Sequence, residues 1–167
     1  MLTFLQVFDF YTNLNEFYGV LTEHCTQANC PAMAAGPSLN FMYTQPADRK
    51  QVSLAAPTYI DSVFALIQGL LDNEDMFPTH SGRDFLPTFP ATVRHVYRQL
   101  LRVFAHLYWS HFEDVLHLRA EPHFNSLFAH FLAFGREYQL LDQKDLTADV
   151  AITALWEKWK AKGILVE

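Results

Sequence analysis

Cysteine, glycine and basic charge are all scarce in these 167 residues. There are two cysteines, six glycines and twelve Lys plus Arg against eighteen Asp plus Glu, for a formal charge of −6. The acidic balance excludes a general nucleic-acid binder and suits a partner whose surface is basic. No glycine-rich phosphate loop or Walker-type pattern is present, which argues against a nucleotide-binding enzyme. No long hydrophobic run occurs. The opening MLTFLQVFDFYTNLNEF lacks a basic n-region and a small-residue cleavage site, and Asp9 and Asn13 interrupt it. It therefore reads as neither signal peptide nor membrane span. A cytoplasmic protein is expected, and in that compartment disulfides are rare.

Half of the residues are apolar and 15% are aromatic, so the chain can bury a core as one domain without crosslinks. Periodicity predicts a mainly α fold. Residues 3–23 read as an amphipathic helix with Phe4, Val7, Phe8, Tyr11, Leu14, Tyr18 and Leu21 on one stripe, and Asp9, Asn13, Glu16 and Val20 opposite. Residues 24–57 are irregular and broken by prolines. Within them LNFMY (39–43) and QVSL (51–54) could pair as a small hairpin around QPADRK. Helix resumes with Thr58 as N-cap and Asp61 three residues on, with Ile60, Val63, Phe64, Ile67 and Leu71 on one face. A proline-rich loop spans 77–90. Two long helices, 91–118 and 123–141, are separated near Pro122. A last helix over 148–162 carries Trp156 and Trp159.

Both cysteines fall in HCTQANCPAM, residues 24–33. Zinc in a structural role prefers a closed tetrahedron of thiolate and imidazole. Cys25 and Cys30 are separated by four residues. So are His106 and His111 in HLYWSH, which is usual spacing for a histidine pair. Positions five apart on a straight helix diverge by about 140°, so the helix must bend there or the metal must sit across its end. Spacing alone leaves three alternatives: a metal site, a Cys25–Cys30 disulfide, or a satisfied core His106 with a surface His111. On the long helix, Arg94, Arg98 and Arg102 fall at i, i+4 and i+8. Such a stripe can grip phosphate, or it can be solvated and paired with acids such as Glu113 or Asp84. No convincing nucleophile–base pair is present.

Six blocks, in order, resemble the Mob family of kinase coactivators: NLNEFYG (13–19), CTQANCPAMAAGP (25–37), AAPTYID (55–61), NEDMFPT (73–79), RVFAHLYWSHF (102–112) and HFLAFGREYQLLDQKDL (130–146). YWSHF, FGREY and QVSL are similar to the branch that partners NDR-type kinases, and within it to fungal members. The resemblance implies a Mob-type helical bundle over residues 1–167, with an irregular arm clamped by structural Zn2+ on Cys25, Cys30, His106 and His111. It implies no catalysis. Four protein ligands leave no open position for water, which disfavours a zinc hydrolase. It further implies that Asp9, Asn13, Glu16 and Val20, with His130 beside them, receive the basic N-terminal regulatory segment of an NDR/LATS-class AGC kinase. That role belongs to cell polarity, morphogenesis or cell separation. The protein would follow its kinase to the cytoplasm, nucleus or cell cortex. Relatives bind phosphorylated peptides of upstream kinases at a basic cluster matching Arg98 and Arg102, next to Arg94. Here the third matched position is the neutral Gln99, which weakens that alternative. The family's acidic, tryptophan-containing leader is unmatched before Met1, so the expectation is either a shortened product or a smaller kinase interface. GRDFLPTFP carries one extra residue near Leu86, with only a local loop change expected.

Overall fold

The computed structural model describes residues 2–77, 82, 84–147 and 153. In chain order come α1 (Leu2–Gly19), β1 (Met33–Ala34), β2 (Asn40–Phe41), β3 (Tyr43–Thr44), β4 (Gln51–Val52), α2 (Ala56–Leu71), α3 (Phe89–His117), α4 (Glu121–Glu137) and α5 (Gln143–Thr147). Helix α3 is the axis: α1, α2 and α4 all pack on it, and α1 also meets α4. The mainly α expectation holds. The expected last helix over 148–162, with Trp156 and Trp159, lies outside the described residues apart from residue 153.

The helix starts are set by proline. Pro57, Pro90 and Pro122 each sit in the first turn of α2, α3 and α4, and none of the three has a side-chain cap. Proline has φ already near the helical value and lacks only an N–H that has no partner there. Thr58 is therefore not an N-cap; Ala55 holds that position and α2 begins three residues earlier. The same correction moves the starts of α3 and α4 from 91 to 89 and from 123 to 121.

Helices α3 and α4 both end in a Schellman turn. In α3, Ala120 N donates to Val115 O and Arg119 N to Leu116 O; in α4, Leu140 N donates to Gly135 O and Gln139 N to Arg136 O. The left-handed residues are Arg119 (φ 54°) and Gln139 (φ 56°). Neither is glycine, so α4 stops at Glu137 where periodicity ran on to 141.

Helix α1 buries a wide sector, because α3 and α4 cover it and Tyr11 and Tyr18 also meet Phe64 of α2: Val7, Phe10, Tyr11, Leu14, Phe17 and Tyr18 are all buried. Phe8, expected inside, is 40% exposed, while Phe10 and Phe17 join the core. The helix stops at Gly19, and residues 20–23 form turns. The core around them is aromatic. Tyr97 stacks on Phe131 at 4.1 Å and Phe104 on Phe128 at 4.8 Å. Phe10 meets Tyr97 and Phe131 edge-on.

The arm between α1 and α2 holds two small antiparallel ladders. Tyr43 pairs with Val52 and Thr44 with Gln51, around the expected QPADRK turn, which Gln45 N closes onto Lys50 O at 2.9 Å. Asn40 and Phe41 instead turn back onto Ala34 and Met33. The expected single hairpin is thus divided between two partners.

Gly135 sits where the bundle leaves no room for a side chain. A Cβ there would lie 2.5 Å from Tyr97 Cε1 and 2.8 Å from Leu141 Cδ1. Both neighbours are buried, so neither can yield freely. Gly135→Ala is expected to cost about 1–3 kcal/mol by overpacking, read as a lower urea midpoint at unchanged slope; an unchanged midpoint would contradict the packing described.

Candidate metal centre

The arm begins with a tight turn. Leu21 O accepts the amides of His24 (3.0 Å) and Cys25 (2.9 Å), and Thr26 O accepts Cys30 N at 2.8 Å. Asn29 locks it from the side: its Nδ2 donates to His24 O at 3.1 Å. Cys30 O accepts Ala56 N at 3.0 Å, fastening the turn to the start of α2. These bonds aim both thiols inward at α3. Both are free and buried, which leaves the disulfide reading without support.

His106 and His111 are buried on α3. At His111 the backbone leaves the helical region (φ −126°, ψ 15°), so α3 bends. The bend meets the geometric demand of five-residue spacing and swings His111 back beside His106, with ring centroids 5.2 Å apart. The four ligand atoms all lie within 4.8 Å of one another. Cys25 Sγ is 3.6 Å from His106 Nε2, and Cys30 Sγ is 3.4 Å from His111 Nε2. Metal–sulfur and metal–nitrogen bonds of about 2.3 and 2.0–2.1 Å at a tetrahedral angle would separate S and N by about 3.5 Å. The spacing therefore fits a shared ion, and the donor set is the thiolate–imidazole mixture that such a site needs.

Each histidine has its other nitrogen occupied. His106 Nδ1 donates to Ala34 O at 2.7 Å, and His111 Nδ1 to Asp114 Oδ2 at 3.1 Å. A carbonyl oxygen can only accept, so Nδ1 of His106 carries the proton and Nε2 presents its lone pair to the thiols. Burial, then the neighbouring Cys30, pushes the Cys25 thiol up to about 12, against the hydroxyl of Tyr18, which bonds it and favours the thiolate. Burial pushes His106 down to about 4. Without a cation, then, Cys25 holds its proton and His106 stays neutral. A bound dication reverses the preference of the thiols, because its own charge outweighs the desolvation. One side of the site borders an open cavity of about 570 Å³ that His24, Asn29, Asn40, Ser110 and Asp114 help to line.

The expected partner face is on the outside of α1. Asp9, Glu16 and Val20 are exposed, Val20 by 58%. Asn13 is half-buried and donates to Asp9 O within its own helix. His130 stands on α4 with its ring edge-on to Phe10 at 5.0 Å, so the structure does bring it beside α1. Sequence reasoning missed its companion one heptad earlier, His123, which stacks on Phe17 at 5.9 Å. The signal was there, since Phe10 and Phe17 share the same seven-residue spacing as His123 and His130.

The arginine stripe is engaged by the protein itself. Arg94 Nε donates to Gln139 O at 3.2 Å, reaching the Schellman turn of α4. Arg98 pairs with Asp145 (3.1 Å) and Asp142 (3.5 Å), two residues that cap α5 reciprocally through each other's amides. The acids Glu113 and Asp84, considered from sequence, are not these partners. Arg102 Nη1 donates to Tyr59 Oη (2.8 Å) and Met42 O (3.2 Å), and its guanidinium lies 4.9 Å from the centroid of the Phe41 ring. Tyr59 passes its own proton to Gln99 Oε1 at 3.0 Å. The neutral Gln99 thus completes an Arg102–Tyr59–Gln99 chain.

The fold and site define a helical bundle in which an irregular arm meets the longest helix at a buried cluster of four potential metal ligands. The chain belongs to the Mob1/phocein family, whose model matches residues 3–149. It is 46% identical over 141 residues to the maintenance of ploidy protein mob2 of Schizosaccharomyces pombe, covering 84% of this chain and 57% of that protein. It is 38% identical over 154 residues to the CBK1 kinase activator protein MOB2 of Saccharomyces cerevisiae, covering 92% and 53%. To the MOB kinase activator-like 1A of Arabidopsis thaliana it is 38% identical over 139 residues, covering 83% and 65%. The chain thus spans between about half and two thirds of the length of these relatives. Among the described residues no helix is long and apolar enough to cross a membrane.

Arg102→Ala removes the tie between α3 and the arm and leaves Tyr59 without its donor. A loss of about 1–3 kcal/mol is expected, with faster proteolytic cleavage within residues 33–54. Equal cleavage rates in variant and wild type would show that Arg102 does not hold the arm.

Proposed function

We propose that this chain is a non-catalytic kinase coactivator. Its outer α1 face would bind the basic N-terminal regulatory segment of an NDR/LATS-class kinase and favour the active state of that kinase. The observation that carries the reading is the composition of that face. Asp9 and Glu16 are exposed on α1, and the exposed apolar Val20 follows in the turn after it, with His130 of α4 alongside Phe10. Carboxylates together with an exposed apolar group suit a basic amphipathic segment, through steering as well as contact. The kinase-activator names of two of the relatives support it. The mechanism is a population shift: a coactivator that binds the active conformer more tightly than the inactive one raises its share. Roles in polarity, morphogenesis or cell separation, in the cytoplasm and wherever the kinase is recruited, follow from this reading.

The ion of the clamp is read as structural Zn2+. Cys25, Cys30, His106 and His111 would hold it, and its chemistry there is ligation without an open position for substrate water. The chain's own residues do the rest. The turn at 25–30 and the bend at 111 set the donors, while Ala34 O and Asp114 fix the imidazoles. An adaptor for phosphorylated peptides through Arg94, Arg98 and Arg102 has weaker support, because a phosphate would have to replace acceptors these side chains already have.

Calorimetric titration with the N-terminal segment of an NDR-class kinase tests the main reading. Saturable one-to-one binding is expected, and Asp9→Arg should weaken it by about five- to tenfold at low salt, less at high salt. Unchanged affinity of the variant would remove this face from the interface. Independently, purified protein should carry one equivalent of zinc. Cys25→Ser should lose it and melt about 10 °C lower, the scale of a broken long-loop crosslink. A chelator-treated wild type that melts unchanged would exclude the structural ion.

A further inference from the structure

The two histidines of the clamp are held in different ways. His106 lies in regular helix, and its outer nitrogen meets a neutral backbone carbonyl. His111 sits at the bend, where its own backbone has left the helix, so helical geometry alone does not set its ring. Its outer nitrogen meets a carboxylate instead. Asp114 comes three residues later, so its side chain stands over the same face, with Oδ2 3.1 Å from His111 Nδ1. The other oxygen, Oδ1, is 3.4 Å from Nδ1 of His24. His24 is the residue before Cys25, and its backbone carbonyl is already gripped by Asn29. One carboxylate therefore joins the first residue of the arm's turn to the last ligand of α3.

We propose that Asp114 is the positioning residue of this metal centre. It holds His111 in the tautomer and orientation that point Nε2 at the cysteines. Through His24 it also ties the ligand turn to α3 by a route that needs no ion. The proposal rests on the zinc reading above. The physical reason is that an anionic acceptor on the outer nitrogen raises the donor strength of the inner one and restricts rotation of the ring. The bend frees His111 to reach the site and, by the same change, takes away the constraint that Asp114 restores. The His24 contact adds preorganisation: Cys25 and His111 are held near each other before an ion arrives, so less ordering is left to the binding step.

The test uses the full chain, loaded with zinc and titrated with a chromogenic chelator of known affinity, alongside the absorption spectrum of the cobalt-substituted form. Asp114→Ala is expected to bind zinc about 10- to 100-fold more weakly and to shift the cobalt ligand-field bands. Asp114→Asn keeps an oxygen acceptor but loses the charge, so it should bind zinc more weakly than wild type, by a smaller factor than Asp114→Ala, and shift the cobalt bands in the same direction by less. His24→Phe should lower affinity by a smaller factor and leave the spectrum unchanged, since it never touches a ligand. A merely structural residue would lower the melting temperature without moving the cobalt bands. If wild type binds one ion and both Asp114 variants match it in affinity and spectrum, Asp114 does not position the site. If wild type binds no ion at all, the zinc reading falls and takes this assignment with it. Should Asp114→Ala fail to fold, the spectrum of the near-isosteric Asp114→Asn, compared with that of His24→Phe, decides.

Discussion

Four ligand atoms from two distant parts of the chain meet in one buried cluster, and the rest of the architecture follows from that meeting. Cys25 and His106 are 81 residues apart in sequence, so an ion shared by them would close a loop that includes the whole arm and α2. The chain-entropy argument that assigns a disulfide about 4–5 kcal/mol for a loop of this size applies to a metal clamp in the same sense. The gain would add to an apolar anchor, since Met33 and Ala35 are fully buried and β1 packs on α2 and α3. The arm's four strands are two residues each, far too short to be stable by themselves. It is held by the clamp at one end and by Arg102 at the other, with Cys30 O on Ala56 N between.

The bundle plays the complementary part. Its aromatic core fixes α1 against α3 and α4 through Phe10, Tyr97 and Phe131. With one face of α1 so thoroughly buried, the opposite face presents Asp9 and Glu16 to the outside, and Val20 follows in the turn beyond Gly19. Rigidity is what a binding surface gains from such support, since little ordering is then left to the encounter. The three arginines serve the same end on the other side of α3. Arg94 and Arg98 fasten the turn between α4 and α5, and Arg102 fastens the arm. Each cation of the stripe has acceptors from the protein itself, at the surface for Arg94 and Arg98 and partly buried for Arg102.

Much of this was legible in sequence, for identifiable reasons. Apolar periodicity located α1 to α4, and the two pairs of four-residue gaps named the ligands together with the need for a bend. The family resemblance then singled out one alternative among several, and the geometry agrees with it. The errors have physical sources. Helix starts were placed after Pro57, Pro90 and Pro122 because proline reads as a breaker, although in the first turn it does not break anything. The end of α4 was missed because Gln139 takes the left-handed position usually given to glycine. Phe10 and Phe17 were missed because a single-stripe reading cannot know that several helices will cover α1. Asp114 and His24 were invisible because they lie 90 positions apart and neither has a spacing signature. Only the fold brings them to one carboxylate.

The central claim is that a metal clamp at the bend of α3 holds the arm against an otherwise self-sufficient bundle. Amide hydrogen exchange, measured on the loaded protein and again after chelation, tests it most directly. The account predicts that protection over residues 25–54 collapses on chelation while the core of α3 and α4 around Tyr97, Phe104, Phe128 and Phe131 keeps its slow exchange. Arm protection that survives removal of the ion would contradict it.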